Sequence, residues 1–254
     1  MLKFINNIWI CILLIATVSG CKKNNELSNT ANKIKAVKVI YHNFPFEGGY
    51  TIIDSASYSY DVMSRPILNQ QFDSAGMLTN STTYSYNGSV MIRSISNVAS
   101  NTTTNDTFFL NQDGYIQGGS NLTICNYDNS GHLQSLTDTM FGLSIQINCT
   151  YTNENITNTG VAQFIYSQSH LEYRPYNIAI CKSVLFQDDY AMSSLFGVSN
   201  KNLALFENDD DQNGNHLSTF VYTYMFDSKG RVTQELETIK GADIYKISNY
   251  TYVN

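Results

Sequence analysis

The densest set of oxygen donors in the chain is Asp209-Asp210-Asp211-Gln212-Asn213-Gly214. Side-chain oxygens at alternate positions, here Asp209, Asp211 and Asn213, can converge on one hard cation, and Gly214 permits the sharp turn such a loop needs. The twelfth position, where a calcium loop supplies a bidentate Glu, is Phe220. Calcium is thus the one cofactor the spacing suggests, against the plainer reading of a solvated acidic loop over 207–215. The four histidines, His42, His132, His170 and His216, are scattered, and His132 merely follows a turn glycine. Gly-x-Ser-x-Gly, His-Glu-x-x-His and phosphate-cradling loops do not occur. Carboxylates paired across strands would suit glycoside hydrolysis, but the sequence singles out no pair. Tyr-x-Tyr spacing would make a sugar platform if exposed, yet period two favours an inward core face. The catalytic set is empty. The reading is a non-enzymatic binding or structural protein, with a glycan-acting hydrolase as the alternative.

The start of the chain carries a different chemistry. Lys3 supplies a positive charge, residues 8–18 form an apolar run too short for a comfortable membrane span, and Val18-Ser19-Gly20-Cys21 follows. Small residues before a Cys resemble the bacterial lipobox, in which the thiol is acylated and the preceding peptide removed. Cys21 is the expected lipid-attachment residue, residues 1–20 the signal peptide and 21–34 a polar, aperiodic tether. Two or three acyl chains hold a protein stably on a membrane. No Asp follows Cys21, which fits sorting to the outer membrane, on its periplasmic face or at the cell surface.

Composition narrows the partners. Charged residues are 14% of the chain and the formal net charge is −6. No basic stripe exists for nucleic acid. The ligand class stays open among small molecule, glycan and protein. Asn and Tyr are over-used as AT-rich coding would produce, so triplets such as Asn80-Ser81-Thr82 are expected by chance. Beyond Cys21 the cysteines are Cys125, Cys149 and Cys181. An odd number in an oxidising compartment invites a disulfide. In a meander, however, Cys125 and Cys149 lie on next-but-one strands roughly 10 Å apart, beyond the reach of an S–S bond.

One phrase positions everything else: an alternating strand, Asp or Asn, two residues, Gly, then another alternating strand. It occurs at Asp73–Gly76, Asn111–Gly114, Asp128–Gly131 and Asp227–Gly230. Asp or Asn suits the first turn position, and Gly the position needing φ > 0. Asn87-Gly88 marks a two-residue hairpin. Leu143, Ile145, Ile147, Cys149 and Tyr151 alternate with Ser144, Gln146, Asn148 and Thr150, the mark of a half-buried antiparallel strand. Residues 101–106 read as a polar loop, and 188–197 as a short helix with acidic start and Gly stop. The sum is an all-β fold over 35–254: a large curled antiparallel meander of roughly a dozen strands, porin-like or half-barrel, with one short helix near 188–196.

Two resemblances sit on these residues. The phrase Tyr-x-Tyr-Asp-x-x-Gly-x-Leu resembles the YD (Rhs-type) repeat, whose hairpins wind into large shells, and Arg231 keeps that repeat's usual Arg after Gly. The chain departs from it in size and in its irregular period. A second likeness covers most of residues 21–254. The lipobox, the hairpins, Leu195-Phe196-Gly197-Val198-Ser199-Asn200-Lys201-Asn202-Leu203, Tyr222-Thr223-Tyr224-Met225-Phe226-Asp227 and the closing Tyr250-Thr251-Tyr252 resemble a family of Bacteroidetes lipoproteins with a porin-like antiparallel fold. That resemblance implies a fold and an envelope location, and no activity. The cysteine reading predicts that denatured mature protein, with Cys21 acylated, shows one equivalent of titratable thiol for each of Cys125, Cys149 and Cys181 without reductant. A shortfall of two would mean that a pair is bonded.

Overall fold

The computed structural model describes residues 36–43, 52–119, 122–140, 143–160, 162–171, 190–210, 215–241 and 244–253. They lie in one compact unit, Ile34–Asn254. The strands are β1 (Ala36–Asn43), β2 (Ile52–Tyr60), β3 (Pro66–Phe72), β4 (Leu78–Asn87), β5 (Val90–Asn97), β6 (Thr102–Leu110), β7 (Ile116–Gly119), β8 (Leu122–Tyr127), β9 (Leu133–Met140), β10 (Leu143–Asn148), β11 (Thr150–Thr152), β12 (Asn155–Asn158), β13 (Ala162–Leu171), β14 (Asn202–Asp210), β15 (His216–Phe226), β16 (Val232–Ile239) and β17 (Ile244–Val253). Pro66 opens β3, where its missing N–H costs least. The expected loop at 101–106 is instead the start of β6. Its Thr- and Asn-rich sequence pairs along all of β5, Ser96 opposite Thr103 and Arg93 opposite Asp106.

Apart from β10 and β11, which follow one another along one line, each strand pairs antiparallel with the next. Only Cys149 separates β10 from β11, and its N–H donates to the Gln134 carbonyl at 2.8 Å, extending the β9 ladder past Asn148 opposite Ser135. On its other side β11 pairs with β12, Tyr151 opposite Ile156. β1 pairs with β2 and also with β17, Val39 standing between Ala56 and Tyr250. The sheet therefore closes on itself. Two seams are thin: β7 meets β8 at Gly119 opposite Leu122, and β12 meets β13 at Asn158 opposite Gln163. At the second seam the Asn200 side chain stands in for ladder, accepting from Ile156 N–H at 2.8 Å.

Alternation along the strands sends Tyr58, Tyr84, Met91, Phe108, Ile116, Leu136, Phe164, Tyr222 and Tyr250 inward, each 5% exposed or less. Burying one such side chain contributes about 1.5–3 kcal/mol. Outward stand Ser57, Ser81, Thr83, Ser94, Asn126, Gln146, Gln163 and Thr223, all partly or fully exposed. The short helix is a 3-10 helix, Tyr190–Leu195; its expected start at 188 lies outside the described residues. It enters the interior, where Ala191, Met192, Leu195 and Phe196 are buried and Met192 Sδ lies 3.0 Å from Arg93 Nη1. Val198 N–H then donates to the Gly131 carbonyl at 2.9 Å.

The turns share one geometry. Asp73, Asn111, Asp128 and Asp227 each accept, through Oδ1, the N–H groups two and four residues on. Gly76, Gly114, Gly131 and Gly230 follow with φ of 77°, 84°, 84° and 76°. A further copy escaped the sequence reading. Asp61 Oδ1 accepts from Met63 and Arg65, and Ser64, at φ 63°, takes the glycine's place. In the Asp61 and Asp227 copies the Arg after the turn returns to the Asp, at 2.7 and 2.8 Å, and lies over a tyrosine ring: Arg65 over Tyr86 at 4.1 Å, Arg231 over Tyr252 at 4.4 Å. Those tyrosines donate to the Pro66 and Val232 carbonyls, both at 2.9 Å. His132 on Tyr151 and Tyr115 on Tyr127 repeat the stacking at ring separations of 4.7 and 5.6 Å.

Gly197 and Gly230 separate conformational need from crowding. A Cβ at Gly230 meets nothing within 4 Å, whereas at Gly197 it would lie 2.5 Å from the Gly131 carbonyl oxygen. Gly230→Val should cost about 1–3 kcal/mol from backbone strain. Gly197→Ala should cost more, because the inserted segment must leave the 128–132 turn. Urea denaturation of both variants checks the order.

Candidate functional site

The inner wall of the last four strands carries the chain's most unusual chemistry. Glu207 on β14 and Glu235 and Glu237 on β16 are 1%, 2% and 3% exposed. The strand register brings them together. Glu237 stands between Tyr222 on β15 and Lys246 on β17, and Glu235 between Tyr224 and Ser248. Glu235 and Glu237 are two residues apart on one strand, so they share a face about 7 Å apart at the backbone. Tyr222 donates its hydroxyl to Glu207 Oε2. Tyr250 donates to Glu235 Oε2 at 3.3 Å. Across the interior, Arg93 is 7% exposed and pairs with Asp106 through Nη2 at 2.5 Å and Nε at 3.0 Å.

Burial sets the electrostatics. It raises the Tyr222 hydroxyl well above its ordinary pKa, and the charges of Glu237 and Glu207 raise it further. Burial pushes Tyr127 and Tyr151 upward as well, and the Cys149 thiol up to about 12. Cys125 and Cys149 are buried thiols outside any disulfide, so neither is poised as a nucleophile. Cys181 lies outside the described residues. At the surface, the Arg231 N–H holds the Asp227 carboxyl below the usual range.

The residues singled out by spacing fare differently. Cys21, Asp211 and Asn213 lie outside the described residues. Asp209 belongs to the end of β14, opposite Ser218, whose hydroxyl is 3.5 Å from Asp209 Oδ2. Among the described residues no three His, Cys, Asp or Glu side chains are placed to hold a metal. Glu207, expected within an acidic loop, is a strand residue: β14 runs through Asp210 and turns this side chain inward, opposite Phe220. Glu235 and Glu237 gave no usable sequence signal: counted by twos from inward Val232 they would face outward, and the register shift between Val232 and Gln234 turns them in.

No family model matches the chain, and no curated protein matches it. Among solved structures, a porin-like protein from Bacteroides uniformis is similar at TM-score 0.62 and 17% identity, covering 87% of this chain and 97% of its own. That likeness shows a porin-like antiparallel fold. Another porin-like protein, from Bacteroides vulgatus, aligns over 87% of this chain and 98% of its own, at TM-score 0.29 and 8% identity. An outer membrane lipoprotein-sorting protein domain from Vibrio parahaemolyticus aligns at TM-score 0.33 and 10% identity. The YD-type likeness gains nothing from these comparisons.

The buried tyrosines set a pH dependence. Their folded pKa values lie above the unfolded value near 10, so the folded state holds protons that the unfolded chain releases. Their stabilisation is complete below pH ~10 and declines as pH rises above it. Each such tyrosine should steepen the loss by about 1.4 kcal/mol per pH unit. Tyr222→Phe should reduce the slope by about that amount between pH 10.5 and 11.5 in urea titrations. An unchanged slope would mean that the hydroxyl ionises freely in the folded state.

Proposed function

We propose that this chain is a lipid-anchored β-protein of the outer membrane, held through Cys21, with a non-enzymatic binding or structural role. In this reading residues 1–20 are the leader, 21–34 the tether and 35–254 a single β domain of the Bacteroidetes porin-like lipoprotein kind. The observation that carries it is the polarity of the closed sheet. A membrane-spanning barrel places its apolar residues outward. Here the outward positions are mainly Ser, Thr, Asn and Gln with single apolar residues such as Ile92, Phe109 and Ile165 between them, and the buried Tyr, Phe, Leu and Met side chains face the interior. Such a wall suits water, and a protein of this kind reaches the membrane by its anchor. Among the described residues no helix is long and apolar enough to cross a membrane, which by itself says nothing of strands.

The glycan-hydrolase alternative draws on Glu207, Glu235 and Glu237. At 1–3% exposure these carboxylates cannot touch a sugar ring without the wall opening, so the binding or structural reading is preferred. A calcium ion at Asp209, Asp211 and Asn213 is a subsidiary proposal resting on spacing alone. The anchor test is direct. The wild type should incorporate labelled palmitate and sediment with membranes. Cys21→Ala should incorporate none and stay soluble after carbonate extraction. A Cys21→Ala protein that resists carbonate would mean that the sheet itself is embedded.

A further inference from the structure

The five Asp or Asn turns share their hydrogen bonds but not their tips. Between the capturing side chain and the residue at positive φ stand Ser74-Ala75, Gln112-Asp113, Asn129-Ser130 and Ser228-Lys229 in four copies, and Val62-Met63 in the fifth. The turn geometry asks nothing apolar of these two positions, since other residues fill them elsewhere with the same N–H groups captured. Val62 is nonetheless 80% exposed and Met63 67%. Single exposed apolar residues are ordinary. Two in succession at the tip of a hairpin make a wedge, and Ile67 is exposed on the strand behind them. At the base of the wedge Asp61 and Arg65 pair at 2.7 Å, so their charges offset each other.

The position of this hairpin selects what the wedge meets. β1 begins at Ala36 opposite Ser59 of β2, two residues short of Asp61. The chain therefore enters the sheet beside this turn and at the same end of the strands. Residues 22–35 separate Ala36 from Cys21, a reach of at most about 50 Å. The turns led by Asn111, Asp128 and Asp227 lie at this end too, and their tips are polar. The apolar tip thus sits at the turn next to the point where an acyl anchor on Cys21 would hold the domain. Two exposed side chains bind a bilayer weakly by themselves, but a tether makes the contact intramolecular and raises its effective concentration. We propose that Val62 and Met63 insert into the acyl boundary of the membrane to which the chain is anchored. The domain then stands with the β2–β3 turn against the lipid and the β3–β4 turn facing away. This docking rests on the anchor reading given above, and the test separates the two.

Tryptophan fluorescence tests this on the acylated chain. The sole tryptophan, Trp9, lies in residues 1–20, so Met63→Trp gives the processed chain one reporter. Ala75→Trp, at the tip of the β3–β4 turn, places a matched reporter at the opposite end. Each acylated variant is reconstituted into vesicles of phosphatidylethanolamine and phosphatidylglycerol, with or without brominated acyl chains, which quench tryptophan on contact. Met63→Trp should shift to the blue and lose most of its intensity to bromine, while Ala75→Trp should lose little. Adding Val62→Asp to Met63→Trp should lift the quenching, and the turn should keep its form because polar residues hold this position in the other copies. Equal quenching of the two reporters, or none at Met63→Trp, overturns the proposal. So does a blue shift in intact envelopes that is absent from the vesicles, which would assign the turn to a protein partner. Palmitate uptake by the same preparations is read first. Uptake without quenching overturns the docking alone, and no uptake overturns the anchor with it.

Discussion

β1 hydrogen-bonds to β2 on one side and to β17 on the other, and that double pairing constrains the rest of the molecule. A sheet without an edge offers no template for another strand, but it encloses a space that must be filled. Inward Tyr and Phe side chains fill much of it, being large, stiff and amphipathic. The segment around Tyr190–Leu195 supplies more, packing Met192 and Phe196 where strand side chains alone would leave voids. The thin β12–β13 seam and the inserted segment belong to one solution. Asn200 and Asn202 come from the end of that segment, and with Asn155 they supply the hydrogen bonds that a regular ladder would have made.

The repeated turn works on the same problem at one end of the ring. An Asp or Asn side chain captures two N–H groups and fixes the hairpin locally. The tyrosine on the strand after the hairpin then donates to the carbonyl that opens the previous strand, as Tyr86 does to Pro66, Tyr127 to Ile116 and Tyr252 to Val232. The residue after the turn packs over a tyrosine ring, as a guanidinium in two copies, an imidazole in one and a phenol in another. These groups share a flat face and a polar edge, which explains why the position varies in charge and not in shape. The Asp73 copy ends in Met77, which is 66% exposed. That turn closes β3 to β4 at the opposite end of the strands.

Much of this was legible because turns are local. Asp227 and Gly230 announce their conformation within four residues, and the inward sense of Tyr222 and Tyr250 follows from period two. The Asp61 turn was not legible, because Ser64 adopts positive φ without the residue type that usually signals it. The strand count came out low for a related reason. Thr102–Leu110 carries its apolar residues only at the end, and a Thr-Asn run reads as loop when its partner strand is unknown. Glu207 was misplaced because an acidic run suggests solvent. What turns it inward is the register with β15 and the Tyr222 hydroxyl, fifteen residues away.

The same wall explains why a porin-like shape need not imply a pore. Transmembrane barrels can keep water inside, so their lumens tolerate charge at little cost. Here large apolar side chains crowd the inward face, and a charge buried among them needs an internal answer. Arg93 and Asp106 answer each other. Lys246 faces Glu237, and Tyr222 faces Glu207. Glu235 accepts from the Tyr250 hydroxyl at 3.3 Å and stands opposite Ser248 on β17. The inward acids thus gather on β14 and β16, away from the turns whose motifs dominate the sequence.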